Sequence, residues 1–94
     1  MAYNIRPLPS FERSLAKLDT GAAKRVIAKL EMLVENPLAI PSPMGNLPKD
    51  LMGLRKIRVG DWRVFFWVDH GKKEIVPYFV GNRAEIYKWL YRKK

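Results

Sequence analysis

The stretch Leu54-Arg-Lys-Ile-Arg-Val-Gly-Asp-Trp-Arg-Val-Phe-Phe-Trp-Val68 decides how this chain folds. Bulky β-branched and aromatic residues dominate it, and Gly60-Asp61 divides it in two. That pattern is a β-hairpin around a tight turn, with Leu51 to Val59 as its first strand and Trp62 to Val68 as its second. The stretch also carries Arg55, Lys56, Arg58 and Arg63, with Asp61 as its one acid. Side chains alternate between faces along a strand. Ile57 and Val59 therefore share one face, and Lys56 and Arg58 the other. On the second strand Trp62, Val64, Phe66 and Val68 share one face, opposed by Arg63, Phe65 and Trp67. The simplest assembly buries Ile57, Val59, Val64 and Phe66. It gathers Lys56, Arg58 and Arg63 on an uncovered face beside Phe65 and Trp67.

Working outward, Glu74 to Val80 is a third strand, in which Pro77 predicts an edge or a bulge. Arg83 to Tyr91 reads as a closing helix with Ile86 and Leu90 on one side and a basic end. Upstream, the segment Asn36 to Asp50 holds four prolines and a glycine. It is a long loop, and its Leu38, Ile40, Met44 and Leu47 predict that it packs down. Before it, Val26, Ile27, Leu30, Leu33 and Val34 form one helical stripe over about Gly21 to Glu35. Pro37 stops that helix at Asn36. Phe11, Leu15 and Leu18 give a first helix with Ser10 as its expected N-cap. Tyr3 to Leu8 is a short strand candidate. The order is β-α-α-β-β-β-α. The fold class is α+β: an N-terminal strand and a helical hairpin on a twisted antiparallel sheet, with a short C-terminal helix.

The 94 residues amount to one domain, 1–94, with a thin core. With no cysteine there is no disulfide framework or thiolate chemistry. Neither a signal-peptide pattern nor an apolar run long enough to span a bilayer is present, so the expected setting is cytoplasmic, without membrane contact. Net charge is +9. From Leu51 onward eleven basic residues face four acidic ones, against seven and five before it. A basic field concentrated in one half points to a polyanionic partner. Cations interleaved with flat aromatic surface suit RNA, because phosphates meet Lys and Arg while unstacked bases lie on rings. Solvated edge protection is the alternative for any single strand cation.

The segments LRKIRVGDWRV (54–64) and VGNRAEIY (80–87), with the helical hairpin upstream, resemble RelE-type toxins of the RelE/ParE superfamily. The likeness runs from about Tyr3 to Leu90. It implies the toxin half of a type II toxin–antitoxin pair, and in RelE-type members an endoribonuclease that cuts mRNA in the ribosomal A site. Carried over position by position, Lys56, Arg58, Arg63, Arg83 and Tyr87 become the catalytic set. Lys56 would be the base, Arg58 and Arg63 the phosphate clamp, Arg83 the leaving-group side, and Tyr87 the residue that stacks on or orients a base. Arg55, Phe65, Trp67 and Asn82 are the expected further RNA contacts. No metal or other cofactor is implied. The implied partners are an acidic antitoxin, mRNA on the ribosome, and operator DNA only through the antitoxin. Many relatives carry histidine where this chain has Asn82, which removes an imidazole from that point. The one histidine, His70, reads as a turn residue. Two alternatives stand beside the nuclease: a ParE-type gyrase inhibitor, and an inactive relative that only binds antitoxin.

Overall fold

The computed structural model describes residues 3–82. Within them the elements are β1 (Asn4–Ile5), α1 (Pro9–Leu15), α2 (Thr20–Glu35), β2 (Arg55–Val59), β3 (Trp62–Asp69) and β4 (Glu74–Asn82). Short 3-10 turns occupy Pro37–Ala39 and Lys49–Leu51. The closing helix expected after Val80 lies outside the described residues.

The four strands form one sheet in the order β1-β4-β3-β2. β2, β3 and β4 are antiparallel neighbours, and β1 joins β4 in parallel, so the sheet is mixed rather than purely antiparallel. The two helices lie between β1 and the rest in sequence, and a crossover of that length is what lets β1 return parallel. β4 is therefore an interior strand although it holds Pro77. The sheet accommodates the missing N–H with a bulge: Phe65 pairs with Phe79, Phe66 with Pro77, and Tyr78 is the extra residue.

The helices cover one face. Val26, Leu30 and Leu33 of α2 and Phe11 of α1 pack with Val59, Val64, Phe66, Ile75 and Val80 in a buried cluster, with Ile57 at its margin. The alternation of the hairpin strands is thus realised as expected. α1 begins two residues earlier than expected. Its N-cap is Leu8, with Pro9 in the first turn, and no side chain caps it. Ser10 lies inside the helix, and its hydroxyl donates to the Tyr78 carbonyl at 2.6 Å. Four residues on, the buried Ser14 hydroxyl donates to Phe11 O and accepts from Val80 N–H, both at 3.0 Å. The β1 side of β4 is satisfied first by backbone, with Arg6 N donating to Ile75 O and Leu8 N to Pro77 O. Beyond β1 the two serines of α1 take over that ladder.

The opposite face is not bare. The loop after α2 folds under the sheet and sets Met44, Leu47, Leu51 and Leu54 against Phe65, Trp67 and Phe79. Met44 and Leu47 pack there and Ile40 packs at the margin of the helix-side core, as their apolar character predicts, but Leu38 does not pack down: it is 97% exposed. Its last residues do not extend β2 back to Leu51, because Lys49–Leu51 is a 3-10 turn and Gly53 has φ +84°. That left-handed backbone needs glycine and turns the chain into β2.

Candidate functional site

The Gly60-Asp61 turn sets the site. Gly60 has φ +59°, and the closing pair of the hairpin is Val59 with Trp62. This register places Arg58 directly across from Arg63, and Lys56 across from Phe65. Directly opposed side chains have Cβ atoms about 4.5–5.5 Å apart, a separation at which like charges repel. On the other flank Arg63 faces Gly81 of β4, so that strand places no side chain beside it. Lys56 and Arg58 are exposed and Arg63 is half-buried. Arg58 Nε donates to the Gly60 carbonyl at 3.1 Å, which ties the guanidinium to the turn. Among the described residues none of the three has a carboxylate at salt-bridge distance. The ion pair present there joins Arg6 and Glu74, at 3.0 Å. The arrangement is a concentrated patch of positive charge on the edge strand β2 and its neighbour β3, with donors suited to phosphate oxygens.

Four other expected contacts fall elsewhere. Phe65 is 0% exposed under Leu51 and Leu54, so it offers no ring to a base. Trp67 is half-buried: its indole N–H donates to Met52 O at 3.0 Å, and its ring packs on Tyr78 with centroids 4.8 Å apart. It is a wall of the second core. Arg55 has the parity of Ile57 and Val59, so it lies on the helix side. There Nη1 donates to Pro41 O at 2.8 Å and Nη2 meets His70 Nε2 at 3.5 Å. Its Nε is buried with no hydrogen-bond partner, and the contact with Pro41 ties the side chain to the loop. Asn82 is the cross-strand partner of Trp62, which puts it on the helix side as well. His70 sits in the β3–β4 turn as expected, with Nδ1 2.8 Å from the Tyr3 hydroxyl. Arg83 and Tyr87 lie outside the described residues. The tie from Arg58 to Gly60 O was not visible in the sequence beyond the presence of a glycine in the turn.

The same architecture recurs in solved toxins. The RelBE2 toxin–antitoxin complex of Mycobacterium tuberculosis is 24% identical with TM-score 0.74, over 88% of this chain and 100% of that chain. A free mutant of the Escherichia coli toxin RelE is 21% identical with TM-score 0.74, over 99% and 98%. The archaeal RelE–RelB complex of Pyrococcus horikoshii is 21% identical with TM-score 0.68, over 89% and 98%. At these identities the likeness is one of fold. No curated protein matches the sequence. The sequence profile of the family described as the ParE toxin of the type II toxin–antitoxin system parDE matches residues 5–87. The chain belongs to that family, within the RelE/ParE superfamily, and is a toxin of a type II toxin–antitoxin system.

Proposed function

We propose that this toxin is a ribosome-dependent endoribonuclease acting on mRNA in the A site. One observation carries the reading. Arg58 and Arg63 oppose each other across the hairpin, with Lys56 on the same face and no carboxylate at salt-bridge distance among the described residues. A fold that tolerates opposed cations gains nothing from them in isolation. They suit the charge that builds on a phosphate as it becomes pentavalent.

The reaction is transesterification. The ribose 2′-oxygen attacks the adjacent phosphorus while its proton passes to Lys56. Arg58 and Arg63 hold the non-bridging oxygens. The bond to the 5′-oxygen breaks and that oxygen takes a proton from solvent water, leaving a 2′,3′-cyclic phosphate and a 5′-hydroxyl. Arg83 serves the leaving-oxygen side and Tyr87 orients a base. The ribosome supplies the RNA conformation, which fits a protein whose Phe65 and Trp67 are committed to packing. Several of the similar structures are toxin–antitoxin complexes, which supports an acidic antitoxin as partner, drawn by the +9 charge.

The test is primer extension on a defined mRNA with and without programmed ribosomes. Cuts at the A-site codon that need ribosomes and vanish in Lys56→Ala/Arg83→Ala support the reading. A folded protein that never cuts overturns it. The family match favours a second reading, a ParE-type gyrase inhibitor. Gyrase-dependent DNA cleavage that persists in the double variant selects it.

A further inference from the structure

α2 carries two apolar stripes, and only the first is wholly buried against the sheet; Ile27 of the second reaches the margin of that core. The first, Ala22, Val26, Leu30 and Leu33, is buried. The second lines an open groove of about 640 Å³ between α1 and α2, whose floor is Leu15, Ala23, Ile27 and Ala28 and whose charged lining is Glu12, Lys24 and Glu31. The groove is nearly all carbon and lies on the side away from the cationic face.

Charge decides what seats there. Pro9 to Glu35 holds five basic and four acidic residues, so the helical hairpin contributes +1 of the net +9. It is near-neutral within a strongly basic protein, so two copies approach through it with little repulsion. The spacing is also self-complementary. When two α2 helices pack antiparallel with a two-fold axis beside Ile27 and Ala28, position 24 of one meets position 31 of the other. The axis generates this contact twice, so Lys24 meets Glu31 at two symmetric points. Between them Ile27 meets Ala28, a large residue against a small one, as close helix packing requires. Lys24 and Glu31 are both exposed and free to make these pairs.

We propose that the toxin free of other partners forms a two-fold dimer through this face of α2, antiparallel about Ile27 and Ala28. The interface is small, so the dimer is weak, on the order of micromolar. The interface leaves Lys56, Arg58 and Arg63 outside it on both copies.

The experiment is sedimentation equilibrium on the purified full chain, from about 1 μM to 1 mM. The expected result is a concentration-dependent monomer–dimer equilibrium. Lys24→Glu alone weakens it about tenfold, because two attractive pairs become two repulsive ones. Glu31→Lys alone does the same. The double variant Lys24→Glu/Glu31→Lys restores it, since the swapped charges again meet their opposites. Both positions are exposed, so all three variants fold, and circular dichroism confirms it. The chain has no cysteine. Ala28→Cys therefore introduces a lone thiol beside the axis, and on mild oxidation it yields a disulfide-linked dimer faster than Asp61→Cys does. A chain that stays monomeric to about 1 mM overturns the proposal and leaves the groove to a helix of another protein. A dimer indifferent to the charge swaps overturns it as well, by placing the interface elsewhere.

Discussion

The two faces of the sheet are covered by different means. A regular helix covers one, with Val26, Leu30 and Leu33 descending on Val64 and Phe66. A loop with scarcely any regular structure covers the other, pressing Leu51 and Leu54 onto Phe65. The helix spans its face. Among the described residues the loop covers the Trp67 end, and the end beside the hairpin turn carries Lys56, Arg58 and Arg63. Irregular cover is what leaves room for a charged site: the side chains best placed to meet a polyanion stand where the loop stops.

The comparison is open to attack at several points. If the loop is true core, Phe65→Ala destabilises as much as Phe66→Ala does on the helix face, about 3–5 kcal/mol each by urea denaturation. A loss below about 1 kcal/mol for Phe65→Ala would mean that the loop merely rests on the sheet. Ser14→Ala strips the Val80 N–H of its partner in a buried place, for an expected loss of about 1–3 kcal/mol. Ser14→Thr, which keeps the hydroxyl, separates that bond from simple packing. Gly53→Ala forces an alanine into φ +84° at the point where the loop enters β2, with an expected loss of about 1 kcal/mol in thermal or chemical melts. The smallest effect on stability sharpens the contrast most. Arg58→Ala and Arg63→Ala relieve a repulsion, so each leaves stability within about 0.5 kcal/mol of the parent or raises it slightly, most visibly at low salt. Both abolish cleavage on ribosomes. A marked loss of stability in either variant would instead make these arginines structural.

Much of the first face was legible in the sequence, because period 3.6 in α2 and period 2 in the hairpin report one-sided burial directly. The cationic trio followed from the same alternation. The second face was not legible. Met44, Leu47, Leu51 and Leu54 have no common period, so nothing in their spacing says which surface they meet. Phe65 and Trp67 therefore read as free aromatic surface beside cations, when the loop had claimed them. Asn82 and Arg55 were misplaced because nearness to the cations in sequence was taken as nearness in space, whereas strand parity sends both to the helix side. Ser10 looked like a cap because serine before a helical stripe usually is one. Pro9 had already started the helix, which freed the hydroxyl for Tyr78.

The serine ladder of α1 bears on the life of the nascent chain. Backbone from β1 and then the hydroxyls of Ser10 and Ser14 close the outer side of β4, so β4 offers no template to a stray strand. Among the described residues, the strand other than the two-residue β1 that keeps an unpaired side is β2, at the far margin of the sheet. Its five residues include Arg55, Lys56 and Arg58, and a strand edge of that charge resists cross-β stacking of one copy on another. The cations proposed to grip a nucleic acid thus also act as gatekeepers against aggregation. A variant stripped of them to disarm the toxin would trade lethality for a stickier protein.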